Sequence, residues 1–120
     1  MNKKILIVDD EQDILEILKI LLESRGYEVI VDISAEKVEN LDLINPGLIL
    51  LDSMLKGKDG RDICKKIKSQ PAFKNIPIIF LSADADLHII AEDCKAEGYL
   101  RKPFELNEIL SAVETNLNRK

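Results

Sequence analysis

Four strand-like runs in this chain end in polar residues, and those residues could do chemistry together. Lys4-Ile5-Leu6-Ile7-Val8 runs into Asp9-Asp10, and Gly47-Leu48-Ile49-Leu50-Leu51 into Asp52. Ile78-Ile79-Phe80-Leu81 runs into Ser82, and Tyr99-Leu100-Arg101 into Lys102-Pro103. If the four runs are parallel neighbouring strands, three carboxylates, a hydroxyl and an amine meet at one sheet edge. Carboxylates held this close repel, so one holds a proton or a cation joins them. A hard divalent ion such as Mg²⁺ suits an all-oxygen set and needs only one or two direct carboxylates. Asp10 and Asp52 are the first choices as direct ligands, with Asp9 ligating through water.

A carboxylate in that setting can attack phosphorus and become an acyl phosphate. Phosphoryl transfer requires in-line positioning and neutralised equatorial oxygens. Mg²⁺ can serve one oxygen, Lys102 a second, and the Ser82 hydroxyl with a nearby backbone N–H the third. The set contains no histidine or cysteine nucleophile. Gly57-Lys58-Asp59-Gly60 is not a nucleotide phosphate loop, because it lacks the upstream glycine and a Ser or Thr after Lys58. A plainer role for Asp9-Asp10 is as acids at a helix N-terminus, where the dipole favours them. That role does not account for Asp52, Ser82 and Lys102.

The elements that would position these groups alternate strictly. A strand at about 4–9 is followed by a helix at 12–25, with Ile14, Ile17, Leu18, Leu21 and Leu22 at helical spacing and Gly26 as a stop. A short strand over 28–31 precedes a helix that Ser34 can cap, with Ala35, Val38 and Leu41 inward. Asn45-Pro46-Gly47 turns the chain into a strand over 48–52. A Lys/Gly loop leads to a helix over 61–69, with Ile63 and Ile67 inward. A strand over 78–82 and a helix over 86–96 follow, the latter with Leu87, Ile90, Ala91 and Cys94 on one face. A strand over 98–101 and a helix over 105–118 complete the order. Such alternation gives an α/β fold, a five-stranded parallel sheet with right-handed crossovers and helices on both faces. Strands one, three and four are near-continuously apolar, as doubly covered strands should be. Strand two carries Glu28 and Asp32 and belongs at an edge.

A chain of 120 residues is long enough to bury a core, and one domain over 1–120 is expected. Seventeen basic and twenty-two acidic residues give a net charge of −5, and Lys and Arg come at most in pairs. That balance disfavours direct nucleic-acid binding. No apolar stretch approaches a membrane span, and the run after Lys4 is too short for a signal peptide. Cys64 and Cys94 form no metal or disulfide pattern and read as small side chains within helices, consistent with the cytoplasm.

In order and spacing, Ile5-Leu6-Ile7-Val8-Asp9-Asp10-Glu11, Leu50-Leu51-Asp52, Asp59-Gly60, Leu81-Ser82-Ala83 and Gly98-Tyr99-Leu100-Arg101-Lys102-Pro103-Phe104 resemble the receiver domain of bacterial two-component response regulators. The resemblance covers nearly the whole chain. It implies a (βα)5, flavodoxin-like fold with strand order 2-1-3-4-5. It implies that Asp52 accepts a phosphoryl group from a histidine kinase or histidine phosphotransfer protein. Mg²⁺ would be held by Asp10, Asp52 and the Met54 backbone carbonyl, with Asp9 assisting. Lys102 would bind phosphate, and Ser82 and Tyr99 would form the switch. The Lys102–Pro103 peptide would be cis. The output would be read on the face of helix four, strand five and helix five by an unidentified effector, as a monomer or a phosphorylation-dependent dimer.

Three positions depart from the family pattern. Lys56 stands where a proline is usual, Lys58 where an apolar residue is usual, and Lys95 where a glycine often ends helix four. His88, the one histidine, sits early in a helix and reads as exposed. Asp84 and Met54, two residues beyond Ser82 and Asp52, are positions expected to influence the phosphoryl lifetime. Two other classes remain to be distinguished. A metal-dependent phosphohydrolase with an aspartyl intermediate would usually carry Asp-x-Asp, which is missing here. A binding module that is never phosphorylated would leave the acidic edge without a purpose.

Overall fold

The computed structural model describes residues 2–84 and 86–117. Five parallel strands form the sheet: β1 (Lys4–Val8), β2 (Glu28–Asp32), β3 (Leu48–Asp52), β4 (Ile78–Ser82) and β5 (Gly98–Arg101), in the order β2-β1-β3-β4-β5. The helices between and after them are α1 (Gln12–Glu23), α2 (Leu41–Ile44), α3 (Gly60–Lys68), α4 (Leu87–Asp93) and α5 (Leu106–Leu117). This is the expected flavodoxin-like α/β architecture. Register sets Val8 beside Leu51, Asp52 beside Leu81, and Ser82 beside Arg101. The residues that end or follow β1, β3, β4 and β5 therefore share the carboxyl edge of the sheet.

Strand periodicity divides the core into two layers. Leu6, Val8, Ile49, Leu51, Ile78 and Phe80 point to one face, where they meet residues of α2, α3 and α4. Ile5, Ile7, Leu48, Leu50, Ile79 and Leu81 point to the other, against α1 and α5. All five residues of β3 and of β4 are buried, whereas β2 lies at an edge with Glu28 exposed. Cys64 and Cys94 are buried free thiols in the first layer. Lys68 ties α3 to the sheet. Its ammonium donates to both Glu97 carboxylate oxygens at 2.8 Å and to the Ile76 carbonyl at 2.9 Å, and Glu97 in turn accepts the Ile78 N–H.

Several elements differ from their sequence expectations. The second helix does not start at Ser34. The Asp32 carboxylate accepts the N–H groups of Ser34 and Lys37, and Ala35 is left-handed at φ 63°. That bend uses up the residues expected in the first turn, so a 3-10 turn at Lys37–Asn40 leads into the short α2. On α1 the buried residues are Leu15, Leu18 and Leu22, while Ile17 is half-exposed. The helix offers more apolar residues than one face can hold. The loop after β3 contains a small antiparallel hairpin, Met54–Leu55 against Lys58–Asp59. Helix α4 ends at Asp93, and Lys95 adopts φ 63°. Helix α1 ends at Glu23 rather than 25, and residue 118, expected in the last helix, lies outside the described residues. Among the described residues no helix is long and apolar enough to cross a membrane.

Candidate functional site

Order reverses between β1 and β3, and in open sheets of this kind that reversal opens a crevice at the carboxyl edge. Asp9 and Asp10 follow β1 and Asp52 ends β3, so the three acids converge there. One carboxylate oxygen from each lies within 4.8 Å of the others. Asp9 is fully buried, Asp52 nearly so, and Asp10 intermediate. Burial pushes the Asp9 carboxyl above the usual carboxylate range, against the lowering pull of the Glu11 N–H and Lys102. Burial, helped by the charges of Asp9 and Asp10, also raises Asp52.

Lys102 follows β5 and reaches across to these acids. Its ammonium is 2.9 Å from Asp9 Oδ2, 2.7 Å from Glu11 Oε1 and 3.5 Å from Asp52 Oδ2. Burial opposes its charge, but the carboxylates of Glu11 and Asp9 outweigh burial and hold the amine well above the ordinary lysine range. The Lys102–Pro103 peptide is cis, and Lys102 N–H donates to the Ser82 carbonyl.

The carboxylates are not equally engaged. Asp9 accepts the Glu11 N–H at Oδ1 and Lys102 at Oδ2. Asp10 accepts the Lys56 N–H at Oδ2. Asp52 accepts the Met54 N–H at Oδ1, while its Oδ2 faces Lys102 at the longer distance. Three clustered carboxylates against one ammonium leave a surplus of negative charge on an all-oxygen donor set. That fits a hard divalent cation, with Asp10 and Asp52 less occupied than Asp9.

Glycine keeps this loop close to the sheet. A Cβ on Gly60, the first residue of α3, would lie 2.2 Å from the Asp52 carbonyl oxygen, inside contact distance. Asp59 caps the helix, accepting the Arg61 N–H at 2.8 Å. The resulting depression is lined by Glu11, Asp52, Ser53, Met54, Ser82, Ala83, Asp84 and Lys102.

Asp9, Asp10, Asp52, Ser82 and Lys102 thus converge at the sheet edge, and Met54 and Asp84 line the depression. Tyr99 stands apart on β5, opposite Phe80 and 45% exposed. His88 is exposed on α4. Lys56 and Lys58 are exposed at the rim, and Lys58 Nζ donates to the Ser34 carbonyl. Two residues of the site escape sequence reading. Glu11 holds Lys102, and its only signal is a third consecutive acid after Asp9-Asp10. Ser53, whose hydroxyl bonds that of Ser82, gives no signal: a lone serine in a loop looks like any other.

Known proteins share this fold. The family described as "Response regulator receiver domain" matches residues 5–114. A protein assigned as a response regulator from Chloroflexus aurantiacus J-10-fl is 34% identical, with a TM-score of 0.91 over 99% of this chain and 100% of that one. The signal receiver domain of a signal transduction histidine kinase from Syntrophus aciditrophicus is 31% identical, with a TM-score of 0.88 over 98% and 94%. NtrX from Brucella abortus is 26% identical, with a TM-score of 0.86 over 98% of this chain but 27% of that one. Receiver domains work in two-component phosphorelay signalling as switches rather than as turnover enzymes. With the match running from within β1 into α5, and the sheet order and acidic edge in agreement, the chain belongs to the response regulator receiver domain family.

Proposed function

We propose that Asp52 is the phosphoacceptor of this receiver and that its phosphorylation drives a switch read by a downstream protein. The observation that carries this reading is the placement of Asp52. It is a nearly buried carboxylate beside Asp9 and Asp10, with one oxygen left 3.5 Å from the Lys102 ammonium. The donor is a phosphohistidine on a histidine kinase or histidine phosphotransfer protein. Asp52 Oδ2 forms a bond to phosphorus as the phosphorus–nitrogen bond breaks, and the electron pair returns to the departing imidazole. Mg²⁺, bound by Asp10, Asp52 and the Met54 carbonyl with Asp9 assisting through water, would neutralise charge on a phosphoryl oxygen. Lys102 pairs with a second oxygen, and the Ser82 hydroxyl donates to a third.

The switch follows from the movement of Ser82. Its turn toward the phosphoryl group vacates space for the Tyr99 ring, and the face of α4, β5 and α5 is remodelled for an effector. A group this small shifts the equilibrium only by its differential affinity for the two conformations. We assign residues 1–120 to one receiver unit acting in the cytoplasm, with no direct nucleic-acid or membrane partner, as a monomer or a phosphorylation-dependent dimer. Asp84, beside the phosphoryl site, is assigned an influence on hydrolysis of the acyl phosphate.

Intact-protein mass spectrometry tests the assignment. With Mg²⁺ and a small acyl phosphate donor, the wild type gains one phosphoryl group and Asp52→Asn gains none. Full labelling of the variant would overturn the reading. Incubation with phosphate esters is expected to release no phosphate; sustained turnover would favour a phosphohydrolase instead.

A further inference from the structure

The residue directly after the acceptor, Ser53, is buried, and its hydroxyl is bonded to the hydroxyl of Ser82. Ser82 is buried as well, and its Oγ also accepts the Asp84 N–H at 3.0 Å. A serine hydroxyl has one proton to donate and two lone pairs to accept with. The Ser82 hydroxyl is therefore held between two fixed partners, one on the loop after β3 and one on the loop after β4. Ser53 has no other side-chain partner among the described residues.

We propose that Ser53 is a positioning residue that latches the Ser82 hydroxyl in the resting conformation and so opposes the phosphorylated one. The proposal rests on the reading that Ser82 turns toward a phosphoryl group on Asp52. When Ser82 makes that turn it gives up the Ser53 hydroxyl and donates its own proton to a phosphoryl oxygen. Ser53 gains nothing in exchange. Ser53 is only 2% exposed, and the turn takes away the one side-chain partner its hydroxyl has among the described residues. A buried hydroxyl without a partner carries a desolvation penalty larger than the net worth of an average hydrogen bond. That penalty falls on the switched state alone, so it biases the equilibrium toward rest. Because Asp52 and Ser53 are adjacent in sequence, the acceptor and the latch share one backbone segment, held in place by the Gly60 N–H on the Ser53 carbonyl.

The test is a titration with beryllofluoride, a phosphoryl mimic, in the presence of Mg²⁺, followed by backbone amide shifts in NMR. Wild type, Ser53→Ala, Ser82→Ala and the double variant are compared, and urea unfolding verifies that each is folded. Ser53→Ala is expected to bind beryllofluoride at least about fivefold more tightly than wild type, a lower bound set by the worth of one net hydrogen bond. In the Ser82→Ala background the same substitution is expected to change nothing. A role limited to stability would lower the unfolding midpoint and leave beryllofluoride affinity unmoved. If wild type binds and Ser53→Ala binds equally or more weakly, the latch is overturned while the Asp52 reading stands. Tightening that persists without the Ser82 hydroxyl also overturns it. Failure of wild type to bind beryllofluoride overturns the Asp52 reading and the latch with it.

Discussion

Replacing Lys102 by methionine removes the ammonium that pairs with Asp9 and Asp52 and leaves an unbranched side chain one atom shorter. The structure sets the scale of the effect. Asp9 is fully buried and 2.9 Å from the amine, and Asp52 is nearly buried at 3.5 Å, whereas Glu11 at 2.7 Å is 57% exposed, so solvent screens its share of the stabilisation. Removing one partner of a buried ion pair costs about 3–5 kcal/mol. The lower end applies here because Asp9 keeps the Glu11 N–H. A loss of about 3 kcal/mol, with an m value of about 1.5 kcal/mol/M, lowers the urea midpoint by about 2 M when divalent ions are chelated. Added Mg²⁺ then acts in the opposite sense. In the variant a dication at Asp9, Asp10 and Asp52 no longer faces an ammonium, so its apparent affinity rises by roughly tenfold. Saturating Mg²⁺ therefore stabilises Lys102→Met by about 1.4 kcal/mol more than it stabilises wild type. Paired urea melts, with chelator and with Mg²⁺, read both numbers. Unchanged stability in chelator would show that Lys102 does not compensate the buried acids, and equal Mg²⁺ increments would show that it does not oppose a cation there.

Gly60→Ala places a methyl group 2.2 Å from the Asp52 carbonyl, so it is expected to cost several kcal/mol, on the order of an overpacked core, and to slow phosphorylation. Thermal melts and the rate of phosphoryl uptake measure the two effects. Lys95→Gly relieves a left-handed backbone at φ 63° and is expected to add about 0.5–1 kcal/mol, net of the entropy glycine brings to the unfolded chain, whereas Lys95→Ala adds nothing from this source. The Asp59 carboxyl is held below its usual range by hydrogen bonds from Arg61. A lowered folded value means that its stabilisation is present above the ordinary carboxylate pKa and lost as pH falls below it. Asp59→Ala, which also loses the α3 cap, should therefore cost about 1 kcal/mol in urea melts at pH 7, and the gap should narrow as pH falls from about 4 through the lowered value.

Much of this architecture is legible in the sequence because its signals are strong. Short near-continuous apolar runs that alternate with helical patterns read as doubly covered strands, and polar residues at their ends have no packing reason to be there. Asp9, Asp10, Asp52, Ser82 and Lys102 therefore stand out from residue type and spacing alone. The misread parts are those where local hydrogen bonds override periodicity. Asp32 captures the N–H groups of Ser34 and Lys37 and turns an apparent helix start into a bend. On α1 too many apolar residues compete, so the buried face is settled by packing, which selects Leu15 over Ile17. Lys95 is legible as a conflict, since a long side chain occupies a position suited to glycine, and the backbone there is left-handed. Ser53 is not legible at all. Its meaning comes from the Ser82 hydroxyl, which lies 29 positions away in sequence.

The most direct test of the central claim is to locate the phosphoryl group chemically. Borohydride reduces an aspartyl phosphate to homoserine, and tandem mass spectrometry of peptides from the phosphorylated protein then finds the altered residue. Homoserine is expected at position 52 and nowhere else. An unaltered Asp52, with phosphate found instead on Ser53, Ser82 or His88, would contradict the central claim.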